Sequence, residues 1–152
     1  MSFWSLSLVR SMPLAALGLC ASVSLSVAEV LITSDEAKLP PPKGAVAMSS
    51  RGITRGPRIE LVSPSVDVHS PMHLQLKFES FGGAKINADS IKVTYVKSPA
   101  VDLTSRIKPF VQPTGIDMPN AELPAGDHQV RIDLQDSDGR TASTSFVLKV
   151  AP

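Results

Sequence analysis

The sequence predicts an all-β domain, an antiparallel sandwich of about seven strands. Two observations carry this prediction: apolar and polar residues alternate from residue 57 onward, and turn-forming residues separate the alternating segments. Alternation with a period of two places one face of a strand on a core and the other face in water, as in antiparallel sheets. No window of the sequence has a convincing apolar stripe of an amphipathic helix.

Four segments show the alternation most clearly. Their apolar positions are Met72, Leu74, Leu76 and Phe78; Ile91, Val93 and Tyr95; Val130, Ile132 and Leu134; and Ala142, Phe146, Leu148 and Val150. Shorter candidate strands cover residues 58–62, 101–104 and 115–118. Turn signals between them include FGG at 81–83, PTG at 113–115, PAG at 124–126 and DG at 138–139. This number of short strands is typical of an immunoglobulin-like sandwich.

The C-terminal stretch resembles the last hairpin of bacterial immunoglobulin-like domains. Residues 123–132 (LPAGDHQVRI) place a proline-glycine corner before an alternating strand, and residues 136–140 (DSDGR) place an aspartate-glycine turn before the final strand. Residues 71–78 resemble an early core strand of the same sandwich. The resemblance covers residues 57–150 and implies the fold, but it does not imply a function, because such sandwiches serve many roles.

The first 28 residues have the composition of a secretory signal peptide. Arg10 precedes an apolar run that ends at Val27, and Ser26 and Ala28 are small residues where signal peptidase requires them. We therefore expect residues 1–28 to be cleaved and the protein to be periplasmic. An uncleaved membrane anchor is the alternative, although the apolar run is short and serine-rich for a bilayer span.

Cys20, the single cysteine of the chain, lies inside the predicted signal peptide. Residues 17–20 (LGLC) resemble a bacterial lipoprotein signal, but Leu19 stands where that signal normally has a small residue. Lipidation of Cys20 is therefore an alternative to simple cleavage. If the signal peptide is removed, the domain has no thiol and no disulfide, so apolar packing must hold it together.

The predicted exported chain is close to electrically neutral. The whole chain has 15 Lys and Arg against 14 Asp and Glu, and the predicted signal peptide contains only Arg10 among these residue types. Nucleic-acid binding relies on an excess of cationic side chains. We therefore expect no nucleic-acid partner, and no membrane contact beyond the cleaved signal.

Residues 29–56 are predicted to be a flexible linker or arm that precedes a domain at residues 57–152. Thr33 and Glu36 have the spacing of a capping box, which predicts one short helical turn. The prolines of LPPP at residues 39–42 end any helix and favour extended chain. Residues 43–56 are small, polar and interrupted by glycines, with one candidate edge strand at 45–48.

Two of the three histidines lie in the stretch VHSPMH at residues 68–73. Asp67, His69, Met72 and His73 are candidate metal ligands, similar in type to those of periplasmic copper-resistance sandwich proteins, which bind copper through histidine, aspartate and sometimes methionine. Those proteins use a histidine at their mature N-terminus, whereas the predicted N-terminus here is Glu29.

Strand alternation in this stretch places Met72 and His73 on opposite faces, which makes a shared coordination sphere difficult. We therefore predict the start of a strand, and assign no metal ligand and no cofactor. Copper or zinc binding through His69 and His73 is kept as the alternative.

His128 lies in phase with Val130, Ile132 and Leu134, so its ring should point inward. We interpret it as a buried, hydrogen-bonded structural histidine. A catalytic base is the alternative, but no partnering nucleophile is in view.

Two charged groups are interpreted as ordinary loop features. The sequence DSDG at residues 136–139 is interpreted as a turn, since no late bidentate glutamate follows it to complete a calcium loop. Arg51, Arg55 and Arg58 form a small cationic cluster that is interpreted as a solvated linker, with partner docking as the alternative.

Motifs of the common enzyme classes are absent from the sequence: there is no G-x-S-x-G, no H-E-x-x-H and no phosphate-binding glycine loop. We predict no catalytic residue and no enzyme activity. The predicted function is a non-catalytic exported binding or scaffold module that contacts another periplasmic or envelope protein. Its contact surface would be an uncovered edge strand or residues 29–56, because exposed edges can accept another strand.

Overall fold

A computed structural model describes residues 28–44, 56–64 and 67–152. The predicted signal peptide up to residue 27, the candidate strand at 45–48, Arg51 and Arg55 lie outside the described residues. The elements are β1 (Glu29–Val30), α1 (Ser34–Ala37), β2 (Arg58–Ser63), β3 (Met72–Glu79), β4 (Ile86–Tyr95), β5 (Val101–Asp102), α2 (Thr104–Ile107), a 3₁₀ turn (Lys108–Phe110), β6 (Val111–Gln112), β7 (Gly115–Glu122), β8 (Gly126–Asp136) and β9 (Thr141–Val150). None of the helices in this part of the chain is long and apolar enough to cross a membrane.

The strands pair into two sheets. The first has the order β1-β7-β3-β2, with β6 also paired to β7, and the second has the order β5-β4-β8-β9. All neighbours are antiparallel except β1, which runs parallel to β7. The fold is a β-sandwich of two sheets, so the predicted all-β class is confirmed.

The core between the sheets is formed by the alternating apolar positions. In β3 the residues Met72, Leu74, Leu76 and Phe78 are all buried, while His73 and Lys77 between them are exposed. The inward residues of β4 and β8 complete the opposite layer. Because side chains of a strand alternate between its two faces, the polar members of each series lie on the outer faces of the sheets.

The first residues of the predicted arm, residues 29–32, pack with the sandwich. β1 pairs with Ala121 and Glu122 of β7, and the next two residues, Leu31 and Ile32, are 0% and 1% exposed in the core. The sequence does not reveal this because two strand residues and two apolar residues are too few to display a period. Residues 29–32 therefore belong to the folded domain.

The segment after β1 is held in place by polar contacts. Thr33 and Glu36 form the predicted capping box at the start of α1. The Arg106 guanidinium of α2 binds the Glu36 carboxylate in bidentate fashion, with N···O distances of 2.8 and 2.7 Å, and also donates to the Leu31 carbonyl. We call this set of contacts the Arg106 clasp.

The predicted strand at 101–104 ends earlier than expected. β5 stops at Asp102, whose carboxylate accepts a hydrogen bond from the Thr104 backbone N–H at 2.8 Å. This side-chain contact starts α2 at Thr104. A helix of four residues shows no apolar stripe, which is why the sequence pattern does not predict it.

Candidate functional site

The histidine-rich stretch does not assemble the four candidate metal ligands. Met72 is buried in the core, while His69 and His73 are exposed. His73 instead pairs with Asp117 of β7, with 2.6 Å between Nε2 and Oδ1. Among the described residues no group of three or more His, Cys, Asp or Glu side chains is placed to hold a metal ion. Asp67, His69, Met72 and His73 are therefore not brought together as a site.

His128 is a buried structural residue, as predicted. Its side chain is 2% exposed, and Nε2 lies 2.7 Å from the Pro124 carbonyl oxygen, which can only accept a hydrogen bond. In the neutral ring Nδ1 is then the acceptor, and the Tyr95 hydroxyl donates to it at 2.9 Å. Burial raises the pKa of Tyr95, and the negative charge of Glu36 adds to this effect. Nδ1 thus joins β8 to Tyr95 of β4, and Nε2 holds the loop before β8.

The DSDG stretch forms the predicted turn. The buried Asp136 carboxylate accepts hydrogen bonds from the backbone N–H groups of Asp138 and Arg140 and from the Arg140 side chain. Gly139 adopts a φ of +79°, which glycine tolerates without steric cost. The Asp136 carboxylate therefore stabilises the turn itself, because its oxygens accept these hydrogen bonds.

An open cleft of about 860 Å³ lies on one side of the sandwich, where β2 and β9 form the rims. Its lining includes the start of β2, the start of β9 and the outer end of β8. The residues are Gly56, Pro57, Arg58, Ile59, Phe81, Ser90, Arg131, Asp133, Leu134, Gln135, Thr141, Ala142, Ser143 and Thr144. A volume of this size is within the range of binding clefts.

In the described part of the chain, the rim at β9 presents backbone groups that point away from β8. Lys149 and Ala151 turn their backbone groups away from β8, since the Lys149 carbonyl accepts from the Val68 N–H and the Ala151 N–H donates to the Val68 carbonyl. The register of β9 on β8 is unbroken, so every second residue before Lys149 faces the same way. Thr141, Ser143, Ser145 and Val147 therefore point N–H and C=O away from the sheet. We call this row, from Thr141 to Val147, the β9 edge.

Three features that often protect an edge strand are missing from the β9 edge itself. It contains no charged residue and no proline, and its register shows no bulge. Within residues 28–44, 56–64 and 67–152, β9 pairs only with β8 and, at its far end, with Val68. An edge of this kind can accept another extended chain.

The facing rim at β2 is protected. β2 is shorter, is flanked by Pro57 and Pro64, and has an irregular register between Leu61 and Ser63. Arg58 and Glu60 are charged and exposed, and they alternate along the strand with Ile59 and Leu61. Prolines, charges and bulges all discourage the addition of a strand.

The charged residues in the described lining of the cleft are two arginines and one aspartate. Arg131 holds the Asp133 carboxylate with contacts of 2.9 to 3.2 Å. Burial raises the pKa of Asp133, but hydrogen bonds from Arg131 and Ser143 outweigh burial and lower that pKa below its usual value. Lys77 binds Glu79, the strand neighbour of Arg58, at 2.8 Å; this contact lowers the pKa of Glu79, and the nearby charge of Arg58 adds a smaller effect.

The sequence interpretation missed Phe81 as a surface residue. The sequence pattern predicts only a turn at residues 81–83, yet Phe81 is 47% exposed and lines the cleft. The sequence does contain a feature that predicts an exposed Phe81. This residue precedes two glycines and follows the end of the alternating pattern of β3. An aromatic residue displaced from the alternating series into a turn indicates a ring outside the core.

Comparison with known proteins adds a likeness of fold. No family model matches the chain, and no curated protein matches it. Among solved structures the chain is similar to CopC from Methylosinus trichosporium OB3b, with a TM-score of 0.41 and 21% sequence identity over 62% of this chain and 95% of that chain. A similarity at this level does not transfer a function.

Proposed function

We propose that this protein is a non-catalytic binding module of the periplasm that accepts an extended segment of another envelope protein along the β9 edge. The observation that carries the proposal is the row of outward backbone groups from Thr141 to Val147, without charge or proline and beside an open cleft. Backbone hydrogen bonds would supply affinity, and the cleft would receive side chains of the added segment. The signal-like composition of residues 1–28 supports the periplasmic location.

The bridge at Val68 limits where the segment can lie. Val68 pairs with Val150 and occupies the backbone groups of Lys149 and Ala151. An added segment therefore lies along Thr141 to Val147 and ends before Lys149. This length is close to that of an ordinary strand.

The predicted arm is a poorer contact surface than we expected. Leu31 and Ile32 are buried and Glu36 is bound by Arg106, so the first part of residues 29–56 serves the fold itself. Deleting the whole arm would remove core side chains together with any contact. The β9 edge is therefore the surface to test.

Site-specific photo-cross-linking in cells tests the proposal with a matched pair of positions. Val147 on β9 and Val62 on β2 are exposed to similar extents, 41% and 47%. A photoreactive residue at Val147 is expected to form a cross-link to another envelope protein, whereas the same residue at Val62 is not. Ser145→Pro removes one edge N–H while sparing the bonds to β8, and it should abolish the Val147 cross-link.

Three outcomes would overturn the proposal. They are equal cross-linking at Val62 and Val147, a Val147 cross-link that survives Ser145→Pro in a folded variant, and a cross-link confined to the same chain or to a second copy. Mass spectrometry of the cross-linked product separates these cases, and circular dichroism verifies that the variants are folded.

Copper or zinc binding through His69 and His73 stays a prediction. Its support in the described chain is the contact between His73 and Asp117, one pair of possible ligands. Calorimetric titration of the wild type and a His69→Ala, His73→Ala double variant with each metal decides it. Equal affinities of the two proteins would dismiss these histidines as ligands.

A further inference from the structure

We infer that the segment accepted by the β9 edge carries a carboxylate next to an apolar side chain, which the Arg58 guanidinium and the Phe81 ring recognise. This inference rests on the proposed function and names the chemistry of the partner. It is carried by the residues of the opposite rim, which face the start of β9 across the cleft.

Arg58 supplies the charge selectivity. The charged residues that line the cleft are Arg58, Arg131 and Asp133, and the last two already neutralise each other. Arg58 therefore gives the described lining of the cleft a net positive charge, and the carboxylate of its strand neighbour Glu79, on which this charge also acts, is bound by Lys77. A carboxylate on the incoming segment would pair with the guanidinium, whereas an added lysine would be repelled.

Phe81 supplies the apolar contact. Its exposed ring lines the same cleft as Ile59, Leu134 and Ala142, which belong to the apolar wall between the sheets. The side chains of an added strand alternate between two directions, so one set turns toward this wall and the other toward solvent. An apolar side chain turned inward would cover Phe81 and remove it from water.

The backbone of Phe81 is fixed by the neighbouring turn. The Arg140 guanidinium donates to the Phe81 carbonyl at 2.9 Å, and the same side chain is anchored on Asp136. Ser137 and Lys85 join the two loops through a further backbone hydrogen bond of 2.7 Å. The β8–β9 turn thus fixes the backbone position of Phe81. We therefore expect the carboxylate and the apolar group of the partner at a defined spacing.

Fluorescence anisotropy with synthetic peptides tests this recognition. The probes are three labelled peptides of sequence Ser-Thr-Val-Thr-Val-Xaa-Val-Thr-Ser, in which Xaa is Glu, Gln or Lys. The wild-type protein is expected to bind the Glu peptide about two- to fivefold more tightly than the Gln peptide, the scale of one exposed ion pair. The Lys peptide should bind most weakly.

Two variants and a control locate the selectivity. Arg58→Gln should bind the Glu and Gln peptides equally, and Phe81→Ala should weaken all three peptides while keeping their order. Lys108→Ala removes an exposed cation next to α2, outside the cleft lining, and should leave the preference for Glu unchanged. Added salt should reduce the preference, because it screens an exposed pair.

The outcomes separate this inference from the proposed function. Equal binding of the three peptides by the wild type, or a preference for Glu that survives Arg58→Gln, overturns the inference alone. Peptide binding that persists in Ser145→Pro, or the absence of binding by every peptide, counts against strand addition itself. Tight binding of free glutamate or acetate that competes with the Glu peptide would instead assign the cleft to a small anion and overturn the inference.

Discussion

The two sides of the sandwich, where the edges of the two sheets meet, differ in how far their apolar side chains are buried. At the side formed by β1 and β5, the residues Leu31, Ile32, Leu103 and Ile107 are at most 1% exposed, and the Arg106 clasp covers the seam. At the side formed by β2 and β9, Val62, Phe81 and Val147 are more than 40% exposed, and Phe81 lines the cleft. A sandwich needs a seal along the gap between its sheets to exclude water from the core, and among the described residues this seal is more complete at the β1–β5 side.

The largest expected effect is at the sealed side. Leu31→Ala should lower the free energy of unfolding by about 2–5 kcal/mol, since it leaves a cavity in a fully buried site. Val62→Ala on the open side is the matched control, and it should change stability by less than about 0.5 kcal/mol. Urea denaturation measures both, and similar losses for the two variants would contradict the comparison.

A second effect tests the buried polar contact near the sealed side. His128→Ala should destabilise the protein by about 1–3 kcal/mol, because it removes packing and leaves the Tyr95 hydroxyl and the Pro124 carbonyl without their partner. Thermal unfolding measures this change. A melting temperature equal to that of the wild type would show that the side chain is not buried.

The Arg106 clasp should make stability depend on pH. The Arg106 hydrogen bonds lower the pKa of Glu36 from 4.5 to about 2, against an opposing effect of burial. A carboxyl group with a lowered folded-state pKa stabilises the protein above its unfolded pKa and loses that contribution as the pH falls through the folded value. We therefore expect a loss of about 1–2 kcal/mol between pH 5 and pH 2, on the scale of a partly buried ion pair.

The glutamine variant isolates this contribution. Glu36→Gln should reduce stability at pH 7 by a similar amount and flatten the dependence below pH 5. Glu60→Gln, on the exposed face of β2, is the matched control. Parallel stability curves for the wild type and Glu36→Gln across the acid range would show that the clasp contributes nothing.

The smallest stability effect is expected at the β9 edge. Ser145→Pro should change the free energy of unfolding by less than about 1 kcal/mol, because the N–H that it removes faces away from β8. Thr144→Pro is the contrasting variant, since its N–H faces β8 and its loss breaks the ladder. Equal destabilisation by the two prolines would show that the assigned direction of the backbone groups is wrong.

The sequence predicted the sandwich better than it predicted the candidate site. The long strands β3, β4, β8 and β9 were recognised because each buries several alternating residues. The inward position of His128 followed from the same phase, and the turn at Gly139 followed from its composition. The candidate site depends instead on which strand has a free side among the described residues, and a strand with a free side has the same alternation as a strand inside a sheet.

The sequence by itself determined which side chains of the long strands are buried between the two sheets, because apolar and polar residues alternate with a period of two. Only the tertiary structure decided which residues pack at the sides of the two sheets. The docking of Leu31 and Ile32, the pairing of Glu36 with Arg106 across 70 positions, and the open row on β9 all depend on contacts between distant parts of the chain. Local patterns carry no information about such contacts, since the pairing of strands is settled by the packing of the two sheets together.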